Sequence, residues 1–341
     1  MPATPPDREI LEFDTYRFGR SRMPFRGPRP DISGRFVACL GGCDTIARFV
    51  KSPYPLLLER RLGLPVANWG SPDATPADFL ADPVLLEACS GASACVVQVM
   101  PAVNISGALY ALFHRRAGVR SGPRDILRLL EPVLDPERYW YCTQTIGRIR
   151  ASREGVFSLA ENELRLAWIF RMQALLRAIR PPKILLWMAQ RAPGDPSGGM
   201  SVRSPGAPPS LVNRPMLDAV APFADGLVEY TAPPDEAWGR DGDRIYRNGQ
   251  EILAHRHAGG DMHRAAARAL ARALEPFLPE VGQRRTVQDD GPAAAPLVQR
   301  QARDVFEQFR VRVRPLGDCG SLVQRAASSA GTASKRSATS P

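Results

Sequence analysis

Two nearly continuous apolar runs, Ala94–Met100 (ACVVQVM) and Lys183–Ala189 (KILLWMA), constrain the fold of this chain more than any other feature. A strand with one wet face alternates apolar and polar residues. A run that is apolar at nearly every position reads instead as a strand covered on both faces, as in a parallel sheet between helices. Three shorter stretches fit the same role: Phe36–Leu40, Pro65–Asn68 and Gly226–Tyr230. Helical spacing fills the intervals. In Ala160–Ile179 the residues Leu164, Ala167, Trp168, Met172, Leu175, Leu176 and Ile179 recur at steps of three and four, and Pro181–Pro182 ends the pattern. Ala265–Phe277 repeats it with Ala266, Leu270, Leu274 and Phe277, and weaker helical signals lie at Ile46–Val50, Leu56–Leu62, Ala77–Cys89 and Met216–Val220. Prolines 53 and 55 interrupt the first of these, and Gly63 ends the second. This alternation predicts an α/β fold, a three-layer α/β/α domain on a five-stranded parallel sheet. Ligands in such folds gather beyond the C-terminal ends of the strands.

Composition divides the 341 residues into three parts. Residues 1–35 form an Arg/Pro-rich arm in which Arg17, Arg20, Arg22, Arg26 and Arg29 stand among Tyr16, Phe18 and Phe25. It reads as an apolar strap with arginines snorkelling into water, the alternative being an anion-binding arm. Residues 36–281 form the α/β domain. Within it, 105–160 is an insertion with mixed helical signals, including Arg124–Leu130 and the aromatic patch Tyr139–Trp140–Tyr141. Residues 191–213 are rich in Gly, Pro and Ser and read as a long mobile loop, a candidate lid. Residues 282–341 are a low-complexity, largely disordered tail, with one helical signal at Asp304–Val313.

The formal charge of +10 sits largely outside the domain: the tail carries a net +5 and the arm +2, leaving +3 for residues 36–281. With no basic strip interleaved with aromatics, nucleic-acid binding is not expected. No apolar run is long enough for a membrane span, and the acidic start lacks the apolar core of a secretory signal. The six cysteines show no metal-ligand spacing, and Cys39 and Cys95 fall inside strands as small apolar side chains. A reduced cytoplasmic protein with no metal and no cofactor is the expectation.

The candidate chemistry centres on FVACLGGCDTIARFV, Phe36–Val50. A strand breaks at Gly41–Gly42 and feeds a helix opening at Asp44 or Thr45, with Cys43 at the bend. First-turn N–H groups and the helix dipole favour an anion, an oxyanion or an activated nucleophile at such a corner. Three other places fall at the same sheet edge: Asn68–Trp69–Gly70, Asn104, and His255, His257 and His263 ahead of the last helix.

This order of blocks resembles the SGNH (GDSL-like) hydrolase superfamily over roughly residues 36–276. The family's Gly-Asp-Ser-x-x block becomes Gly41–Gly42–Cys43–Asp44–Thr45 here. His257 and His263 keep the six-residue spacing of its last block, whereas Ala254 and Ala258 replace that block's Asp and Pro. The resemblance implies an SGNH- or flavodoxin-like sheet, Cys43 at the nucleophile position, Gly42, Gly70 and Asn104 as oxyanion or binding groups, and His257 as base. Asp261 is the candidate carboxylate behind His257, and Asp44 and His263 are further candidates. The segments FRGP, GGCDT and YPLLLERRLGLPVANWG also resemble an uncharacterised bacterial family of unknown function, with an SGNH-like layout and often Thr at the position of Cys43.

Two functions follow as expectations. One is an acyl-ester hydrolase or acyltransferase acting through Cys43. The other is a non-catalytic protein of the same fold that binds a carbohydrate or other small molecule, in surface-polysaccharide modification by analogy.

Overall fold

The computed structural model describes residues 13–107, 110–115, 118–123, 146–147, 149–151, 154–196, 208–232, 254 and 257–278. Arg124–Leu130, Tyr139–Tyr141, His255 and the tail from 282 lie outside them. In chain order the elements are β1 (Thr15–Tyr16), β2 (Phe25–Arg26), β3 (Val37–Gly41), α1 (Cys43–Ile46), α2 (Tyr54–Leu62), β4 (Val66–Gly70), α3 (Pro76–Leu80), α4 (Pro83–Ser90), β5 (Ala94–Gln98), β6 (Tyr110–Arg115), β7 (Gly118–Pro123), α5 (Glu154–Ala178), β8 (Lys183–Ala189), α6 (Arg214–Val220), β9 (Gly226–Thr231) and α7 (Gly260–Leu274).

Five strands form one all-parallel sheet in the order β4-β3-β5-β8-β9. Counted along the sheet this is 2-1-3-4-5, the flavodoxin-like order, whose connections reverse direction between the strands that here are β3 and β5. Successive side chains leave opposite faces. Ala38, Leu40, Trp69, Cys95, Val97, Leu185 and Trp187 join the core with residues of α3, α4, α5 and α6. Val37, Cys39, Val96, Ile184, Leu186 and Val228 join the core with residues of α2 and α7. The protein is a three-layer α/β/α fold. Among the described residues no helix is long and apolar enough to cross a membrane.

Local chemistry starts and stops the helices. Prolines open several of them, because Pro presets φ and the first-turn N–H is spare. Pro53 is the N-cap of α2 and Pro55 lies in its first turn, so the prolines begin a helix there instead of interrupting one. Pro83 likewise separates two helices: α3 opens with a capping box between Thr75 and Asp78, and α4 with Asp82 accepting from Leu85 N at 3.0 Å. The helix expected from Ile46 onward is instead the single turn α1, closed by Ala47 in the left-handed region at φ 50°.

Two further features depart from the sequence reading. The insertion opens as an antiparallel hairpin, β6 paired with β7 from Tyr110↔Pro123 to Arg115↔Gly118. The arm carries a short antiparallel pair, β1 with β2, and its Phe25 is fully buried. Tyr16, Phe18 and Met23 pack against the core as a strap should, but Arg26 does not snorkel. Its guanidinium is buried and donates to four main-chain carbonyls: Ile46 (3.2 Å), Ala47 (2.6 Å), Val50 (2.9 Å) and Lys51 (3.0 Å). Arg191 does the same for the loop beginning at 191, donating to the carbonyls of Pro209 and Val212 at 2.7 Å each.

Candidate functional site

Strand β3 ends at Gly41 because nothing larger fits. A Cβ there would overlap Thr45 Oγ1 and fall 2.5 Å from Gln98 Oε1. Gln98 is the polar residue inside an otherwise apolar strand, and it organises the corner. Its Oε1 accepts from Gly42 N (3.0 Å) and Thr45 Oγ1 (2.6 Å), and its Nε2 donates to Asp44 Oδ2 (3.4 Å). Thr45 Oγ1 also lies 3.1 Å from the Tyr54 hydroxyl. On the other side Asn68 Nδ2 donates to Thr45 O (3.0 Å), while its Oδ1 accepts from Gly70 N (3.1 Å). Gly70 is glycine because α1 lies against it: an added Cβ would meet the main chain of Thr45 and Ile46. The N–H groups of Gly42 and Gly70, expected to face an oxyanion, are therefore engaged by side chains of the protein itself. Their role is to let strand ends and α1 approach closely.

Cys43 begins α1, and its sulfur is met by Asp73. Asp73 N donates to Sγ at 3.4 Å, and Sγ lies 3.7 Å from Asp73 Oδ1, within reach for an S–H donor. Asp73 was not legible as a site residue in the sequence. It stands in the turn after β4 in the left-handed region, at φ 53°, a conformation that Asp tolerates better than most residues.

One residue further on, Asp44 Oδ1 faces His257 Nδ1 at 3.3 Å and accepts from Ala258 N at 3.1 Å. Burial opposes ionisation of Asp44. The hydrogen bond and charge of His257 and the Ala258 amide outweigh it and hold the carboxyl below its ordinary value. The His257 ring stacks on Phe49, centroids 5.5 Å apart, and keeps 24% of its side chain exposed. The carboxylate behind His257 is thus Asp44. Asp261, the expected partner, instead accepts from Arg264 Nη2 at 2.5 Å, three residues along the same helix.

His263 is fully buried. Its Nδ1 accepts from Tyr54 N at 3.1 Å and its ring stacks on that tyrosine, so it joins α7 to α2. Asn104 closes a 3₁₀ turn, Ala102–Asn104, beyond the C-terminal end of β5, and is half-buried. This is the same edge as Cys43 and Gly70. Among the described residues, no group of three or more His, Cys, Asp or Glu side chains stands as a metal site. Cys39 lies in the core face against Tyr54, where burial pushes its thiol well above the ordinary range.

The structure therefore sets His257 and Gln98 on Asp44, and Asp73 on the sulfur of the adjacent Cys43. It assigns Gly42, Gly70 and His263 to holding that corner together. The polar Gln98 within ACVVQVM was a readable signal. Asp73 and Arg26 gave none, because a lone Asp in a turn and a lone Arg beside Phe are common on any surface.

A family model described as Domain of unknown function (DUF6473) matches residues 1–278, which takes in the N-terminal arm as well as the α/β domain. No curated protein matches the chain.

Proposed function

We propose that this chain, which belongs to the DUF6473 family, is an acyl-ester hydrolase or acyltransferase with an SGNH-like layout, using Cys43 as nucleophile and His257 as general base. The observation that supports this reading is the Asp44 Oδ1–His257 Nδ1 pair at 3.3 Å, formed by the residue next to Cys43. A carboxylate on Nδ1 fixes the ring's tautomer and stabilises the imidazolium, and leaves Nε2 to move a proton. In the first step Nε2 takes the Cys43 proton and the sulfur adds to the ester carbonyl carbon. The C–O bond then breaks, the alcohol leaves with the proton from His257, and the acyl group stays on sulfur as a thioester. Water or a second alcohol, deprotonated by the same nitrogen, releases it as acid or as a new ester. Asn104 and the main-chain N–H of Cys43 are the donors proposed for the oxyanion, each contributing about 2.7–4 kcal/mol in a well-built site; Thr45 N and Ile46 N already donate to Gly42 O. Gly42 and Gly70 are not among the proposed donors, since Gln98 and Asn68 already accept their N–H groups.

Turnover of short-chain nitrophenyl esters tests the reading, together with mass-spectrometric trapping of an acyl group on Cys43. Cys43→Ala should abolish both, and His257→Gln should lower turnover by about 10²–10⁴-fold. Ester turnover by Cys43→Ala at the wild-type rate would refute the nucleophile assignment.

A second reading has its own observation. The two internally satisfied amides leave fewer donors for a transition state, which favours a binding protein for a neutral carbohydrate or other small molecule at the same edge. Saturable binding of such a ligand without turnover, weakened by Asn104→Ala, would carry that reading over the first.

A further inference from the structure

A carboxylate residue, Asp73, is in contact with the Cys43 sulfur. Asp73 offers it both kinds of hydrogen bond, its main-chain N–H donating at 3.4 Å and its Oδ1 lying 3.7 Å away as acceptor. The loop that carries Asp73 is fixed. Ser71 N donates to Gly41 O at 3.1 Å, Ala74 N donates to Ser71 O at 3.2 Å, and Ser71, Ala74 and Thr75 are buried. Among the described residues three other than glycine adopt positive φ: Ala47, Asp73 and Leu211. Two of these bracket α1, since Ala47 closes it and Asp73 meets its first side chain. Unfavourable backbone conformations persist where the surroundings over-determine them, often at functional sites.

We propose that Asp73 is a further residue of the reacting centre: it keeps Cys43 protonated in the ligand-free chain and selects against acyl groups that carry negative charge beside the scissile carbonyl. An S–H pointing at the carboxylate gives each group a hydrogen bond. A thiolate in the same place faces a like charge, which disfavours ionisation, while the N–H contact offsets part of that cost. The other titratable pair at this corner is Asp44 with His257, and Asp44 is already committed to His257 and the Ala258 amide. The same negative charge repels an anionic group approaching the sulfur and accepts hydrogen bonds from hydroxyl or ammonium groups. The substrate class that fits is therefore an ester whose acyl part is neutral or cationic near the carbonyl. The catalytic use of Cys43 rests on the function proposed above; the contact with Asp73 does not.

The test uses two alkylating probes of nearly equal size, neutral iodoacetamide and anionic iodoacetate, on the full chain at pH 7.5. Peptide mass spectrometry follows Cys43 apart from the other cysteines. Asp73→Asn keeps the shape and tolerates the left-handed backbone. It should raise the iodoacetamide rate at Cys43 by about threefold to tenfold and lower the iodoacetamide-to-iodoacetate rate ratio by a similar factor. Asp73→Gly keeps the main-chain N–H and the backbone freedom, and should move both quantities the same way. It serves where the Asn variant folds poorly. Unchanged rates in both variants overturn the proposal, and so does a fall in the iodoacetamide rate, which would make Asp73 a base for the thiol. Because neither probe needs ester turnover, an inactive wild type would refute the hydrolase reading while leaving this result to stand or fall alone.

Discussion

Replacing Arg26 by methionine keeps much of the side chain's apolar stem and removes four hydrogen bonds at once. The guanidinium reaches the carbonyls of Ile46, Ala47, Val50 and Lys51 at 2.6–3.2 Å. These are the carbonyls at the end of α1 and just beyond it, where the single turn cannot satisfy its own acceptors. A hydrogen bond from a charged donor contributes about 1.5–3 kcal/mol when lost singly. Four bonds on one group are not independent, and burial, which pulls Arg26 down to about 10, already works against the charge. The expected loss is therefore about 3–5 kcal/mol, the range for breaking a buried charged contact. That is a large part of the ~5–15 kcal/mol that holds a typical domain together. Urea unfolding measures it, followed by the fluorescence of the buried Trp69, Trp168 and Trp187. Arg26→Lys supplies a charge without the planar fork and should fall between wild type and Arg26→Met. A methionine variant within about 1 kcal/mol of wild type would refute the claim that the arm holds α1 in place.

Other expectations concern the corner directly. Gly70→Ala places a Cβ against the main chain of Thr45 and Ile46, and should cost about 1–3 kcal/mol in urea unfolding and slow alkylation of Cys43 if α1 shifts. Asp44 has a folded-state value below its ordinary 3.8, so its ionised form stabilises the fold above that pH and the contribution is lost as pH falls through the lowered value. Asp44→Asn should therefore be less stable than wild type at pH 7 by about 1–3 kcal/mol, with the gap narrowing as pH falls through the lowered value; a gap that does not narrow on acidification would count against the carboxylate as its source. His257→Gln should be less destabilising than Asp44→Asn in the same assay, since its ring is partly in water and the buried carboxylate keeps the Ala258 amide.

The sheet could be read from the chain because parallel strands covered on both faces need apolar runs, and β8 is such a run from Ile184 to Ala189. The strand read at Pro65–Asn68 runs from Val66 through Trp69 to Gly70, because this glycine is a ladder residue opposite Gly41. The corner at Gly41–Cys43 was legible for the same reason: two glycines after a buried strand announce a close approach. The Asp44–His257 pair was not, because the two residues are 213 positions apart and only the folded loop before α7 brings them together. Asp261 looked like the nearer choice along the sequence, but the helical step from 261 to 264 gives it Arg264 instead. The hairpin β6–β7 was missed because its second strand, GVRSGP, has the composition of a turn.

Gln98 has a consequence for how this corner can evolve. Its one amide serves Gly42, Thr45 and Asp44 from a strand in the middle of the sheet, so the inner wall is saturated before any visitor arrives. Cys43, Asp73 and His257 take none of these three bonds, so an exchange at any of them leaves the partners of the amide in place, whereas a change at Gln98 disturbs three partners together. The tolerance of this corner to substitution is therefore expected to fall steeply from those side chains to the strand end beneath them.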